Sequence, residues 1–316
     1  MRAKPIDYRF TRLEIGILRL LTNGEQPLSD IGRSLSIRPS LTSHLLGKLS
    51  EKALVTLNRR GIGKRAAFSN SRHAQLLRDV LLIHAHVDWE NALHGLAVEI
   101  LFWVLDQSAS SAASFSRATL WRHTKNLKAR GILDEDGRRY TISLRFERLK
   151  EFLEEYQRFI MADFVHSLAD GEVIIWQQDM ECLFEGPHKI EPLGEGLEET
   201  ATSSFGKFGL PLLTQSRVYF YSREKRELKV EDVILHTLLL EGSEVRNTLY
   251  GLLLMKKEWK RMDTRLLRQE SGKYSLTIQI DDMLDFLETN GTRRNNPRLP
   301  TWNEFIGKAV EYGVAL

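Results

Sequence analysis

Residues 10–70 combine three helical patterns of apolar positions with two strand-like runs. The first stripe, over residues 12–22, consists of Leu13, Ile17, Leu20 and Leu21. A short second helix is predicted over residues 29–35, and Pro39 fits the first turn of a third helix that continues to residue 52. The apolar stripe predicted for this third helix consists of Leu41, Leu45, Leu46 and Leu49. The pattern predicts a three-helix bundle.

The third predicted helix has a polar face, and a basic hairpin follows it. The residues expected on that face are Arg38, Ser40, Thr42, Ser43 and Lys48. Residues 54–57 and 66–69 alternate like strands, and the loop between them carries the cations Arg59, Arg60, Lys64 and Arg65. Short polar side chains on a helix can reach base edges in the major groove, while hairpin cations neutralise phosphates. Both sets of residues are therefore predicted to bind DNA, although a bundle with a hairpin would also serve as a protein-interaction module.

Residues 28–69 (LSDIGRSLSIRPSLTSHLLGKLSEKALVTLNRRGIGKRAAFS) resemble the winged helix-turn-helix regulators of the MarR and ArsR type, which are prokaryotic. The resemblance implies that the helix carrying Ser40, Thr42, Ser43 and Lys48 is the recognition helix. It also implies that Arg59, Arg60, Lys64 and Arg65 belong to the wing. It indicates a mode of binding and no particular target sequence.

A shift of 78 residues brings a similar pattern back, with residues 49–55 aligned to residues 127–133. An apolar helix over residues 93–105 opens this second copy, and residues 116–125 take the position of the recognition helix. The residues expected to contact DNA here are Arg117, Thr119, Arg122, Lys125, Arg138 and Arg139. The pattern predicts tandem winged helix-turn-helix units.

The second copy departs from the first in two places. Residues 106–115 are rich in Ser and Ala where a helix with an apolar stripe belongs, and the run Asp134, Glu135 and Asp136 would repel phosphates. The second unit could accordingly serve as a dimerisation platform instead of a DNA contact.

The C-terminal half has a different pattern. Residues 172–178, 181–185 and 216–222 are predicted strands, and a helix over 145–164 precedes them. Further helices are predicted over residues 230–240, 245–256, 264–271, 282–287 and 302–312. We therefore predict the α+β class, with a mixed α+β domain following the tandem winged units.

Residues 201–222 (ATSSFGKFGLPLLTQSRVYFYS) and 231–257 (EDVILHTLLLEGSEVRNTLYGLLLMKK) resemble the C-terminal domain of abortive-infection type IV antitoxins. This resemblance implies a nucleotidyltransferase-like fold used for regulation or partner binding. A nucleotidyltransferase needs a Gly-Ser pair followed by closely spaced carboxylates that hold Mg²⁺. Here Gly242-Ser243 precedes a lone Glu244, and Asp281-Asp282 is better explained as a helix start. No catalytic residue is assigned, and an enzyme stays an alternative.

Charge is distributed unevenly along the chain. Residues 38–78 carry a net charge of +8 and residues 114–150 one of +6, whereas residues 151–316 carry −8. Two basic blocks fit a partner that is a polyanion, although solvated helix faces would give the same composition. The single cysteine, Cys182, excludes an internal disulfide and is expected in the core.

No cofactor, metal site or membrane span is expected. His84 and Asp88 would share a helical face while His86 would point away from them, and no apolar run is long enough to cross a membrane. The N-terminus has no apolar signal region, so a cytoplasmic protein is expected.

These patterns predict four segments: a winged helix over 1–73, a connecting helix over 74–92, a second winged unit over 93–150, and an effector or partner domain over 151–316. The expected function is sequence-specific regulation of transcription through double-stranded DNA, as a repressor. The alternatives are an antitoxin-like autorepressor and an enzyme targeted by winged helices. A second copy of the chain, or another protein held by the C-terminal domain, is the further partner considered.

Overall fold

The structure is a computed structural model. It describes residues 7–60, 63–106, 115–137, 139–168, 171–178, 180–186, 189–190, 193–212, 216–222, 227–240, 244–293 and 296–315, with the backbone alone for Arg60, Asp106 and Glu244. Contacts divide the chain into two units, Met1–Phe164 and Val165–Leu316, called here the N-terminal and C-terminal units. Both combine helices with antiparallel strands, which confirms the α+β class. The finer segment boundaries and the tandem winged units stay predictions.

Three helices open the N-terminal unit: α1 (Arg12–Leu21), α2 (Leu28–Ser34) and α3 (Pro39–Glu51). Each lies within a residue or so of its predicted position. Thr11 caps α1, because its hydroxyl accepts a hydrogen bond from the Glu14 amide at 3.2 Å while the Glu14 carboxylate accepts one from the Thr11 amide at 2.7 Å.

Glu14 is also half of a buried ion pair. Its Oε1 lies 2.9 Å from Nζ of Lys52, and the two side chains are 1% and 3% exposed. The Lys52 ammonium donates a second hydrogen bond to the carbonyl of Arg9 at 2.6 Å. With Glu14 inside, the apolar residues that α1 buries are Ile15, Ile17, Leu18 and Leu21. The predicted stripe is therefore wrong for Leu13 and Leu20, which are half-buried.

A three-stranded antiparallel sheet completes this part of the unit, in the order β1-β3-β2. Its strands are β1 (Gln26–Pro27), β2 (Val55–Arg60) and β3 (Gly63–Phe68). The sequence pattern predicts shorter strands, but the β2–β3 pairing continues as far as Arg60 and Gly63. Arg59 and Lys64 therefore lie on paired strands and not in a loop.

Two helices follow the hairpin, α4 (Arg72–Ile83) and α5 (Trp89–Ala92). The predicted connecting segment over residues 74–92 is thus interrupted after Ile83. Trp89 is fully buried, and its indole N–H donates a hydrogen bond to the carbonyl of His84 at 2.9 Å. This bond stabilises the non-helical segment between α4 and α5.

A second helix–hairpin region follows, and its central helix and first strand begin 78 residues after their counterparts in the first. It contains α6 (Ala97–Asp106), α7 (Arg117–Ala129), β4 (Leu133–Asp136) and β5 (Arg139–Ile142), the strands pairing antiparallel. Helix α7 has the 13-residue length of α3 and begins 78 residues after it. Residues 107–114, where a counterpart of α2 is expected, lie outside the described residues.

The long helix α8 (Glu147–Leu168) supplies a central aromatic residue to the N-terminal unit. Tyr156 is fully buried, and burial raises the pKa of its hydroxyl well above the ordinary value. The rings within 6.5 Å of the Tyr156 ring belong to Phe10, His73, Phe102, Phe152 and Phe159. The first and second helix–hairpin regions thus share one core.

The C-terminal unit contains a four-stranded antiparallel sheet in the order β6-β7-β9-β8. Its strands are β6 (Val173–Gln178), β7 (Glu181–Gly186), β8 (Leu197–Glu199) and β9 (Arg217–Ser222). The three predicted strands are confirmed, and β8 is the one that was missed. Cys182 on β7 is buried as expected, and this burial raises the pKa of its thiol to about 12.

The described residues after β9 form five α-helices of the C-terminal unit. They are α9 (Val230–Leu238), α10 (Glu244–Lys257), α11 (Thr264–Ser271), α12 (Thr277–Glu288) and α13 (Trp302–Glu311). Short 3₁₀ helices span Ala201–Phe208 and Gly272–Tyr274 in this unit, and Leu144–Phe146 in the N-terminal unit. All five predicted helices are confirmed, with α12 beginning earlier than predicted. Within the described part of the chain, no helix combines the length and apolarity that a membrane crossing requires.

Candidate nucleic-acid interface

Helix α3 presents a short polar face. Arg38, at its N-cap, and Ser40 and Ser43 are exposed, while Lys48 is half-buried. No ion pair or hydrogen bond engages these four side chains among the described residues. This face therefore has small hydroxyls at its centre and cations at both ends, as the sequence predicts.

Thr42 is a correction to that prediction. Its side chain is fully buried, and its hydroxyl donates to the carbonyl of Arg38 at 3.2 Å. A Cβ atom on Gly32 of α2 would lie only 2.9 Å from the Thr42 hydroxyl, so the two helices cross closely there. Thr42 occupies the helical stripe that continues through Leu45, Leu46 and Leu49, and Leu41, predicted for that stripe, is exposed instead. Thr42 cannot reach a base.

The β2–β3 hairpin places two cations opposite each other. Arg59 is the register partner of Lys64, and both side chains are exposed. Directly opposed like charges destabilise an antiparallel pair, and strands β2 and β3 contain no carboxylate that would offset this repulsion. No described residue forms an ion pair with either cation. An anion bound between the two side chains would relieve this repulsion.

The other two predicted wing cations differ from this pair. Arg65 donates to the carbonyl of Glu25 at 3.2 Å, and its Nε lies 3.5 Å from the Glu25 carboxylate. Arg65 therefore connects strand β3 to Glu25, the residue before β1, and its charge has an internal partner. The side chain of Arg60 lies outside the described residues.

Helix α7 also has a basic exposed face. Arg117, Arg122 and Lys125 are exposed, and the helix contains no acidic residue. Thr119 is half-buried and belongs to the helix cap, because the Ser116 hydroxyl lies 2.8 Å from its own hydroxyl and accepts from its amide at 3.1 Å. Three of the four predicted α7 residues are thus free to face a ligand.

The hairpin after α7 is acidic and internally paired. Arg139 is the register partner of Asp136, and Lys128 of α7 forms an ion pair with Glu135. The hydrogen bond between them raises the pKa of Lys128 and lowers that of Glu135. Arg139 therefore has a carboxylate opposite it, unlike Arg59, and Arg138 lies outside the described residues.

Carboxylates of the C-terminal unit are engaged in structural contacts. The Asp281 carboxylate accepts a hydrogen bond from Nε of Arg268 at 2.8 Å, and the Asp282 carboxylate accepts one from the side-chain Nδ2 of Asn296 at 3.0 Å. The expected helix start at these residues is wrong, since α12 begins at Thr277 and both lie inside it. Gly242 and Ser243 lie outside the described residues.

A buried polar network lies behind the C-terminal sheet. The two ring nitrogens of His236 lie 2.8 Å from the Thr200 hydroxyl and 3.0 Å from the Tyr274 hydroxyl, and the ring stacks on Phe220. All four side chains are buried, so the network fixes the packing of α9 against the sheet. No set of three or more His, Cys, Asp or Glu in the described residues is placed to hold a metal ion.

Two exposed residues were missed by the sequence prediction. His44 lies one turn after Ser40 on the exposed side of α3, and Trp121 is 63% exposed on α7. The signal for His44 was its helical spacing from Ser40. For Trp121 it was the register of α7, in which Thr124 and Leu127 take the buried side.

Comparison with known proteins concerns the C-terminal unit. A family model described as HVO_2833_C, C-terminal, matches residues 194–314, which is less than half of the chain. No curated protein and no solved structure matches the chain. The matched residues include the stretches that resemble type IV antitoxins, and nothing found points to the MarR or ArsR families. Both resemblances stay predictions.

Proposed function

We propose that this protein binds double-stranded DNA sequence-specifically and regulates transcription as a repressor. In this proposal α3 enters the major groove and reads bases through Ser40 and Ser43. The β2–β3 hairpin places Arg59 and Lys64 on the phosphates beside that groove.

The observation that carries the proposal is the cation pair on the hairpin. Arg59 and Lys64 are opposed on adjacent strands and lack an internal counter-charge among the described residues. A phosphate between them would relieve their repulsion and release counterions from the duplex, which favours binding. If the hairpin only faced solvent, the repulsion between the two cations would destabilise it without any compensating interaction.

The form of α3 supports the same proposal. Its inner side is anchored by Thr42, Leu45, Leu46 and Leu49, so the outer side is held by the core and not by a loop. Small hydroxyls at Ser40 and Ser43 keep the helix narrow, and Arg38 stands at the N-terminal end, where recognition helices contact base edges. The hydrophobic core thus determines which side chains α3 presents to solvent, and in this proposal those side chains contact the DNA.

The experiment begins with selection of binding sequences from a random double-stranded library by the full-length protein. Dissociation constants for the selected duplex are then measured between about 50 and 200 mM salt, the range over which phosphate contacts are most evident. For the variant Arg59→Ala/Lys64→Ala we expect weaker binding to every sequence and a salt slope lower by about 2. For Ser43→Ala we expect a changed sequence preference with the salt slope retained.

The matched control is Arg265→Ala/Lys260→Ala, which removes the same charge from two exposed residues of the C-terminal unit. It should leave the salt slope unchanged. A wild-type protein that enriches no sequence from the library would overturn the proposal. An equal loss of slope in both double variants would show that net charge, and not the hairpin, determines binding.

A further inference from the structure

Trp121 is the largest of the exposed side chains on α7. It is 63% exposed, and Nζ of Lys125 lies 4.8 Å from the centre of its ring. Arg117, Trp121 and Lys125 are spaced four residues apart and form one row along the helix, with Arg122 beside it. An indole between cations is a surface suited to a ligand with negative charge and flat or methyl-bearing apolar groups.

The position of Trp121 in the repeat is informative. The 78-residue offset between α3 and α7 places Trp121 at the position of Ser43 and Arg122 at that of His44. The polar face of α3 therefore corresponds to the tryptophan row of α7. The hairpin after α7 cannot supply phosphate contacts in the same way, because its Arg139 is opposed by Asp136 and Lys128 is paired with Glu135.

We propose that α7 contacts the same DNA duplex as α3, with Trp121 packing against thymine methyl groups in the major groove. This inference rests on the proposed function and adds a specificity residue to it. Arg117, Arg122 and Lys125 hold the flanking phosphates, while the acidic hairpin β4–β5 stays away from the backbone. The second region then reads bases by apolar contact, without a wing.

Charge favours DNA over a protein as the occupant of this face. The cores of protein interfaces are depleted of Lys, whereas the row on α7 has a lysine directly over its tryptophan. The face also has three exposed cations and the helix no acid, which matches a polyphosphate backbone. A methyl group at C5 is the apolar feature that the major groove offers at each A·T pair.

The test uses the duplex selected by the wild-type protein and a second duplex in which uracil replaces thymine, which removes the methyl groups. For the wild type, we expect binding to weaken on the order of tenfold when the contacted thymines are replaced. Trp121→Ala should bind the thymine duplex about tenfold more weakly and should not distinguish it from the uracil duplex. Trp121→Phe should restore part of the discrimination.

The matched control is Leu144→Ala, which removes an apolar side chain that is 92% exposed in the same unit. It should retain both the affinity and the discrimination. The inference fails if Trp121→Ala binds the two duplexes as the wild type does while Arg59→Ala/Lys64→Ala still weakens binding, and in that case the proposed function stands. It also fails if Trp121→Ala changes only the oligomeric state in sedimentation, which would assign the row to a second copy of the chain. If the wild type selects no sequence, the proposed function fails first.

Discussion

The two helix–hairpin regions of the N-terminal unit share a backbone plan and differ in where their charges lie. After α3 the amide of Leu54 donates to the carbonyl of Leu49 at 3.0 Å, and after α7 the amide of Ile132 donates to that of Leu127 at the same distance. The first region has cations at its hairpin and small hydroxyls on its helix. The second has cations and an indole on its helix and carboxylates at its hairpin. One scaffold thus supports two different surfaces.

The largest expected difference between the regions concerns their ion pairs. Lys52 and Arg130 occupy equivalent positions, yet Lys52 is buried against Glu14 whereas Arg130 meets Asp88 near the surface at 3.1 Å. Removing one partner of a buried pair leaves an uncompensated charge, so we expect Lys52→Met to lower the free energy of unfolding by about 3–5 kcal/mol. The corresponding Arg130→Met should lower it by about 1 kcal/mol or less.

Urea denaturation of the two variants checks this prediction. Both substitutions remove one cation and leave a side chain of similar length, so they form a matched pair. Losses of similar size would mean that burial does not distinguish the two ion pairs, contrary to the comparison.

The next difference is the type of residue that occupies one backbone conformation common to both regions. The residue two positions after each helix has a positive φ, 49° at Ala53 and 68° at Gly131. An L side chain in this region costs about 1–2 kcal/mol, and a Cβ on Gly131 would meet no atom within 4 Å, so the cost is conformational alone. We expect Gly131→Ala to destabilise the protein by about 1 kcal/mol and Ala53→Gly to stabilise it by a similar or smaller amount.

Thermal denaturation of these two variants measures the strain directly. Opposite signs support the shared backbone plan. A destabilising effect of Ala53→Gly would show that packing of the Ala53 methyl group outweighs the strain of its left-handed conformation.

Local patterns in the sequence predict where helices and strands lie better than they predict which side of each helix is buried. Helices α1 to α3 and strands β6, β7 and β9 follow from periodicity, because apolar spacing determines which segments are regular. Thr42 and Glu14 show where this fails. Each takes a buried position through a tertiary partner, the close approach of Gly32 or the ammonium of Lys52, and thereby moves neighbouring leucines outward. Short β8, three residues long, depends on its pairing with β9 and has no periodicity of its own.

The sequence predicts which residues of the candidate site are basic, but it does not predict which of them lack a carboxylate partner. The basic residues stand out in the sequence, but only strand register separates Arg59, opposite Lys64, from Arg139, opposite Asp136. Arg65 is likewise engaged by Glu25, which is 40 residues away in the sequence, and Lys128 by Glu135 of the hairpin that follows α7. Which cation is available to a ligand is a property of the folded chain.

The smallest expected effect concerns a glycine in α3. Gly47 stands where α7 has Lys125, and a Cβ added to it would meet no atom within 4 Å. Glycine inside a helix costs about 0.5–1 kcal/mol relative to alanine, so Gly47→Ala should stabilise the protein by that amount. If α3 lies in the major groove, the same methyl group stands between the helix and the DNA and weakens binding. Gly307→Ala in α13, also unobstructed, should stabilise similarly and leave DNA affinity unchanged. The protein itself places no atom within 4 Å of the added methyl group, so any loss of affinity would come from contact with DNA. Equal DNA affinities of the two variants would therefore mean that DNA does not approach α3 at Gly47.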